Sequence, residues 1–171
     1  IGGTRATGLE VVRLLRTRGD EVAVLVRPES DGSAEEQLGA RVVRLDVSTP
    51  FTAARARNAG LRELLAWRPC TELVQFVDGD CELQDGWVEQ ALQFLTANER
   101  YAVACGRRRE RFPQATIYNR LCDFEWNTPV GDALACGGDA LILCRAFEQV
   151  KGFNPSVIAG EEPEMCVRLR A

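Results

Sequence analysis

The chain contains no histidine. That removes the most frequent catalytic base and the most frequent metal ligand, so any general base here is a carboxylate, Lys, Tyr or Cys. Lysine is almost as scarce, with Lys151 the single example. The seven cysteines (70, 81, 105, 122, 136, 144 and 166) form an odd set with no CxxC pair. Without histidine beside them, they make a poor zinc site. They read as reduced, small, mostly buried residues of a cytoplasmic protein. No apolar run approaches the length of a membrane span, and no signal peptide is visible. A net charge of −4 with both signs interspersed argues against a nucleic-acid partner.

One stretch breaks that even charge pattern. "GRRRERF" (106–112) suits an anionic ligand or peripheral contact with a lipid surface; its plain alternative is a solvated basic loop. The chain begins on Ile1 and ends on "CVRLRA", inside what reads as a helix. A truncated or joined sequence is therefore expected.

What is present is an ordinary globular balance. The 171 residues are 46% apolar and 27% charged, enough for one domain over 1–171 with a real core. "TGLEVVRLLRTRG" (7–19) carries an apolar stripe and stops at Gly19, so it predicts a helix. "EVAVLV" (21–26) and "ARVVRLDV" (40–47) predict strands, with the polar loop "RPESDGS" between them. Further helices are expected over 53–67 and 86–98, around 118–122, over 145–153 and over 161–170. Strands are expected over 73–77, 101–106 and 139–144. Strands and helices alternating at this spacing indicate an α/β fold with a mostly parallel central sheet. Ligands bind such sheets beyond the carboxyl ends of the strands.

"VQFVDGDCEL" (74–83) places two acids at such an end. Asp78 and Asp80 repel each other unless a cation lies between them, and Mg²⁺ or Mn²⁺ takes one or two carboxylates plus substrate phosphates. A bare D-x-D is otherwise a polar turn with two solvated acids. Cys81, next door, reads as a core residue. "GEEPE" (160–164) gathers acids at a helix start, where the dipole alone would favour them. In a chain without histidine they are also its best stock of general bases. "RARN" (55–58) offers two cations and an amide to a phosphate or sugar, or simply forms a solvated helix face.

Together these stretches carry a resemblance. With "DGS" (31–33), "FTAARARNAGL" (51–61), "ACGGDALI" (135–142) and "KGFNPSVIAGEEPEMCVRLR" (151–170), the chain from about Asp31 onward resembles a family 2 glycosyltransferase of the GT-A fold, a Rossmann-type three-layer sandwich. The resemblance implies a metal-dependent transferase that moves a sugar, with inversion, from a nucleoside-diphosphate-sugar to a hydroxyl acceptor, glycan or lipid-linked. It puts the family's D-x-D on Asp78 and Asp80, holding Mn²⁺ or Mg²⁺ and, through Asp78, the ribose. The family's Glu-Asp base falls on Glu161 and Glu162, here two glutamates, with Glu162 favoured as the base. Arg55 and Asn58 fall near the nucleotide, "GGD" (137–139) on the acceptor side, and Asp31 or Glu29 in the loop that holds the nucleotide base.

The first thirty residues resemble something else. "IGGTRATGLEVVRLLRTRGDEVAVLVRP" is similar to the opening of an atypical short-chain dehydrogenase with an NAD(P)-binding Rossmann turn. Gly2 and Gly8 stand at the ends of the G-x-x-G-x-x-G pattern, Arg5 replaces its middle glycine, and Arg27 would accommodate the 2′-phosphate of NADP. Either this start is a divergent transferase N-terminus or two kinds of sequence meet near residues 30–45. A dehydrogenase reading of the whole chain lacks the Tyr-x-x-x-Lys pair, since neither Tyr101 nor Tyr118 has a lysine four residues on. A nucleotide-binding fragment without activity is the third reading.

Overall fold

Leu9, Val12 and Leu15 repeat along one face of the first helix, α1 (Arg5–Thr17), and Gly19 at φ +88° ends its run. Only glycine adopts such a conformation without penalty. The computed structural model describes residues 5–171. Gly2, part of the expected dinucleotide turn, lies outside the described residues. Gly8 falls within α1, where nothing stands within 4 Å of an added Cβ.

The chain falls into two compact units: one runs to Glu72 and takes in Lys151–Glu161, the other comprises Leu73–Val150 and Glu162–Ala171. In the first, β1 (Ala23–Val26) and β2 (Arg41–Arg44) pair in parallel, Ala23 opposite Arg41 and Val26 opposite Arg44. Val12 of α1 packs with Val22 and Ala40 into a small core, joined by Leu15, Val24 and Leu38. A short helix, α2 (Ser33–Gln37), lies between the strands. Gly32 at its start abuts Val42, whose methyl carbon would lie 2.8 Å from an added Cβ. The long helix α3 (Ala53–Trp67) follows, and Thr52 caps it by accepting a hydrogen bond from the Arg55 N–H at 3.2 Å. Such a cap is worth about 1 kcal/mol.

In the second unit, β3 (Leu73–Phe76), β4 (Val103–Cys105) and β5 (Ala140–Leu143) form one sheet in the order β3-β5-β4. β3 and β4, joined through α4 (Trp87–Ala97), run in the same direction. β5 inserts between them antiparallel to both, with Phe76 and Cys105 each opposite Ala140. Flanked on both edges, β5 is an unbroken apolar run with Ala140, Leu141 and Ile142 buried. Ala91 and Leu95 of α4 pack on Ala104 and Leu141. Trp87 joins that core and donates its indole N–H to Gln75 Oε1 at 3.0 Å, so its one polar group is satisfied.

The α/β architecture is as the sequence predicts, but among the described residues parallel pairing is confined to β1 and β2. The difference arises after α5 (Ile117–Trp126). The irregular segment 127–139 follows α5, and the chain then enters the sheet against the direction of β3 and β4. From β5 the chain enters α6 (Cys144–Gln149), which ends with Lys151 at φ +62° and Gly152 at φ +68°. Lys151 is the only non-glycine residue with positive φ among those described, at a position where glycine is usual. The final helix is α7 (Glu161–Arg170).

Candidate functional site

In the second unit the chain leaves β3 at Phe76 and turns over Asp78, where the Cys81 N–H donates to the Asp78 carbonyl at 3.0 Å. The Asp78 N–H in turn donates to the carboxylate of Asp139 at 3.1 Å. Asp139 is 8% exposed and immediately precedes β5, so the antiparallel pairing of β3 with β5 brings these acids together. The preceding Gly138 is a close-approach glycine. A Cβ there would lie 1.9 Å from Asp78 Oδ2, so the Asp78 carboxylate rests against bare backbone. Asp78 is half-buried and Asp80 exposed.

Cys81 is not a core residue. It lies beyond the end of β3 and is exposed, with its Sγ 3.7 Å from Asp80 Oδ1. Desolvation and the carboxylates of Asp139, Asp80 and Asp78 push its thiol up to about 12. The turn is thus a concentrated negative field. Cys70 is likewise exposed, while Cys136, Cys144 and Cys166 are buried, so the expectation of mostly buried thiols holds only for part of the set.

The same unit brings a cation to this segment. Gly137, at φ +68°, lies against the Arg108 guanidinium, whose Nη2 would be 3.3 Å from an added Cβ. Arg108 stacks over Trp126, 5.3 Å from the ring centre. Two others of the basic stretch are otherwise engaged. Arg109 makes a two-pronged ion pair with Asp123, both contacts 2.7 Å, and Arg111 pairs with Glu82. The adjacent glycines therefore present an acid at one and a base at the next.

Glu162 belongs to this unit and is half-buried. Its charge reaches the thiols of Cys136 and Cys166, adding to the rise of the first and opposing the fall of the second. Glu164 is committed to Arg168, one turn along α7, at 2.6 Å.

The remaining expected site residues lie in the first unit. Glu161 is 8% exposed and forms an ion pair with Arg57. Arg57 also lies over the ring of Phe153, 5.7 Å from its centre. Asn58 is fully engaged by backbone. Its amide donates to the Phe153 carbonyl at 2.7 Å, and its oxygen accepts the Phe153 N–H at 3.0 Å. Arg55 donates to the carbonyls of Thr49, Pro50 and Asp46 at 2.5, 2.7 and 2.9 Å, closing the loop that leads into α3. Asp31 accepts from the N–H and hydroxyl of Ser33 at 3.0 and 2.9 Å, just before α2. Glu29 and Arg27 are exposed. Within "RARN" the sequence singles out Arg55 and Asn58, whereas the residue that meets Glu161 is Arg57. An alternating Arg-x-Arg gives no sign of which guanidinium turns inward. Nor does "GGD" in the sequence give any sign that Asp139 holds the Asp78 backbone.

Among the described residues no three acidic or thiol side chains converge as ligands on one point. The donor set nevertheless fits a hard divalent cation. Asp78 and Asp80 supply oxygen alone, and Mg²⁺ or Mn²⁺ is ordinarily held by one or two carboxylates together with substrate phosphates. Among the described residues no helix is long and apolar enough to cross a membrane.

Comparison with known proteins follows the same line. The model of a family described as "Glycosyl transferase family 2" matches residues 27–135, well over half of the chain and including the whole of the Asp78–Asp80 turn. Residues 1–26 lie outside that match. No curated protein sequence matches. Among solved structures, one described as a mycobacterial protein superposes with a TM-score of 0.53 at 19% identity, over 94% of this chain and 55% of its own. A mannosyltransferase from Pyrobaculum calidifontis, PcManGT, in complex with GDP-Man and Mn²⁺, superposes with a TM-score of 0.52 at 21% identity. It is covered over 43% of its length and covers 89% of this chain. The chain thus spans about half the length of these two structures and shares their fold.

Proposed function

Because the chain belongs to glycosyl transferase family 2, we propose that it transfers a sugar from a nucleoside-diphosphate-sugar to a hydroxyl group of a glycan or lipid-linked acceptor, with inversion. The observation that carries this reading is the Asp78–Gly138–Asp139 arrangement, which fixes an acidic turn at the end of a strand and clears space around one carboxylate. Asp80 and Asp78 would hold Mn²⁺ or Mg²⁺. When bound, the ion supplies charge neutralisation for the departing diphosphate.

The chain's own residues do the rest. Asp139 holds the Asp78 backbone, so the turn is set before substrate arrives. Arg108, pinned on Trp126 beside Gly137, offers a second positive charge to an anionic group. Glu162 takes the acceptor hydroxyl proton. The choice of Glu162 over Glu161 rests on the engagement of Glu161 with Arg57, which makes Glu161 a positioning residue at the start of α7. Single displacement needs no enzyme nucleophile. Seven free thiols suit a cytoplasmic setting.

Thermal unfolding with Mn²⁺ and a panel of UDP-, GDP- and dTDP-sugars tests the reading. One nucleotide-sugar is expected to raise Tm only when metal is present, and Asp80→Ala should abolish the rise without lowering the unliganded Tm. No rise with any pair, or a rise that survives Asp80→Ala, would overturn it. NADPH in the same panel examines the Rossmann-like start.

A further inference from the structure

Two of the seven free cysteines meet inside the second unit. The sulfurs of Cys136 and Cys166 lie 3.5 Å apart, with only 9% and 6% of each residue exposed. Cys136 directly precedes Gly137, and Cys166 sits on α7 one turn after Glu162. Cys105, at the end of β4, is near enough for its charge to bear on Cys136 and to feel that of Cys166. Burial of single thiols is ordinary packing. Packing does not by itself require two thiols in sulfur–sulfur contact, which is the approach that precedes covalent closure to about 2 Å.

We propose that Cys136 and Cys166 form an oxidisable dithiol that a hydroperoxide converts to an intrachain disulfide. In the first step the Cys166 thiolate attacks the terminal peroxide oxygen. The O–O bond breaks, and Cys166 becomes a sulfenic acid as hydroxide, or alkoxide from an alkyl hydroperoxide, departs and takes up the proton that Cys166 gave up in forming the thiolate. In the second step the Cys136 sulfur attacks the sulfenic sulfur. The S–S bond forms, the S–OH bond breaks, and the hydroxyl leaves as water with the Cys136 proton. The two sulfurs together lose the two electrons that the peroxide gains.

The surroundings assign the order. The sulfur–sulfur contact with Cys136, then the Cys136 backbone and the nearby charge of Arg170, draw the Cys166 thiol down to about 7 against burial and Glu162. Cys136 is pushed far up by its contact with Cys166 and by burial. Cys166 is therefore the attacking thiolate and Cys136 the resolving thiol. Closure would tie α7 covalently to the segment that carries Gly137, Gly138 and Asp139, the backbone against which Asp78 rests.

The test uses the full chain with the two exposed thiols removed, Cys70→Ser and Cys81→Ser. After hydrogen peroxide at neutral pH, remaining thiols are alkylated in denaturant and the chain is digested with trypsin and an Asp-N protease. Cleavage before Asp132 and Asp139 isolates Cys136 in 132–138, apart from Cys122 and Cys144. The expected product is that peptide joined to the one containing Cys166, two hydrogens lighter than their sum and released by dithiothreitol. In a Cys136→Ser chain, dimedone should trap the sulfenic acid on Cys166. Buried Cys144 is the internal control and should remain alkylatable. Full alkylation of both Cys136 and Cys166, a Cys105–Cys166 link in their place, or sulfinic acid at Cys166 without a link would overturn the proposal. The linkage is read directly in the parent chain, so it does not depend on a Cys166 variant folding.

Discussion

The carboxylate of Asp139 accepts the backbone N–H of Asp78 at 3.1 Å across the β3–β5 pair. A buried acid is thus committed to holding the turn that carries another acid. Asp139→Ala leaves that N–H without this acceptor, and an unpaired polar group of this kind costs about 1–3 kcal/mol. Asp139→Asn keeps an oxygen at the position and should lose less. Urea unfolding of the two variants reads the difference, and metal-dependent nucleotide-sugar binding should weaken in the same order.

Gly138→Ala is a sharper probe of the same turn. The new methyl would stand 1.9 Å from Asp78 Oδ2 and 2.5 Å from its Cγ, so the carboxylate must move aside. Gly138 is not among the glycines with positive φ, so the backbone itself accepts alanine. Stability should fall by about 1–3 kcal/mol, the usual cost of overpacking. Affinity for Mn²⁺ with nucleotide-sugar should fall by about tenfold or more, a loss of about 1.4 kcal/mol or more. Titration calorimetry measures both the metal and the nucleotide. Unchanged affinity would show that Asp78 does not hold the ion.

Arg57 and Glu161 form an enclosed ion pair, with side chains 24% and 10% exposed. Removing one member of such a pair strands the other, at about 3–5 kcal/mol. Arg57→Met should therefore destabilise strongly, and Glu161→Gln less, because the amide oxygen still accepts. The double variant should recover part of the loss. Denaturant midpoints for the full cycle test this. Additive losses would show that the two residues act independently.

Acid stability should carry the signature of Asp123. The Arg109 guanidinium, with help from the Glu110 N–H, holds its carboxyl at about 2 against an ordinary 3.8. The folded value lies below the unfolded one, so the stabilisation is complete above pH 3.8 and is lost as pH falls through about 2. Asp123→Asn should flatten the stability curve within that window and leave its slope at pH 6 to 8 unchanged. Urea midpoints measured across pH are the readout.

Much of this architecture was legible in the sequence where local pattern decides it. The helix over 53–67 appears with the predicted bounds because Thr52 caps it and its apolar residues repeat at helical spacing. The helix over 161–170 is equally local. α2 was not legible: its five residues carry no apolar repeat, and the close approach of Gly32 to Val42 at its start is a contact periodicity does not record. Strand direction was hidden for a related reason. Alternation of side chains is the same whichever way a strand runs, so "DALIL" announced a buried strand without revealing that it lies antiparallel between two others. Asp78 and Asp80 stand out in the sequence as paired acids just beyond a strand. The use made of Asn58 does not, because its partner Phe153 lies 95 residues away in the chain.

The left-handed Lys151 at the end of α6 has a practical meaning as well. Apart from the chain's own amino terminus, it carries the sequence's single primary amine, and it is exposed. It stands where the chain passes from one compact unit back to the other. A reagent that acylates amines would therefore place one dye or spin label at that crossing without any engineered residue. The scarcity of lysine turns an awkward backbone position into a built-in observation post.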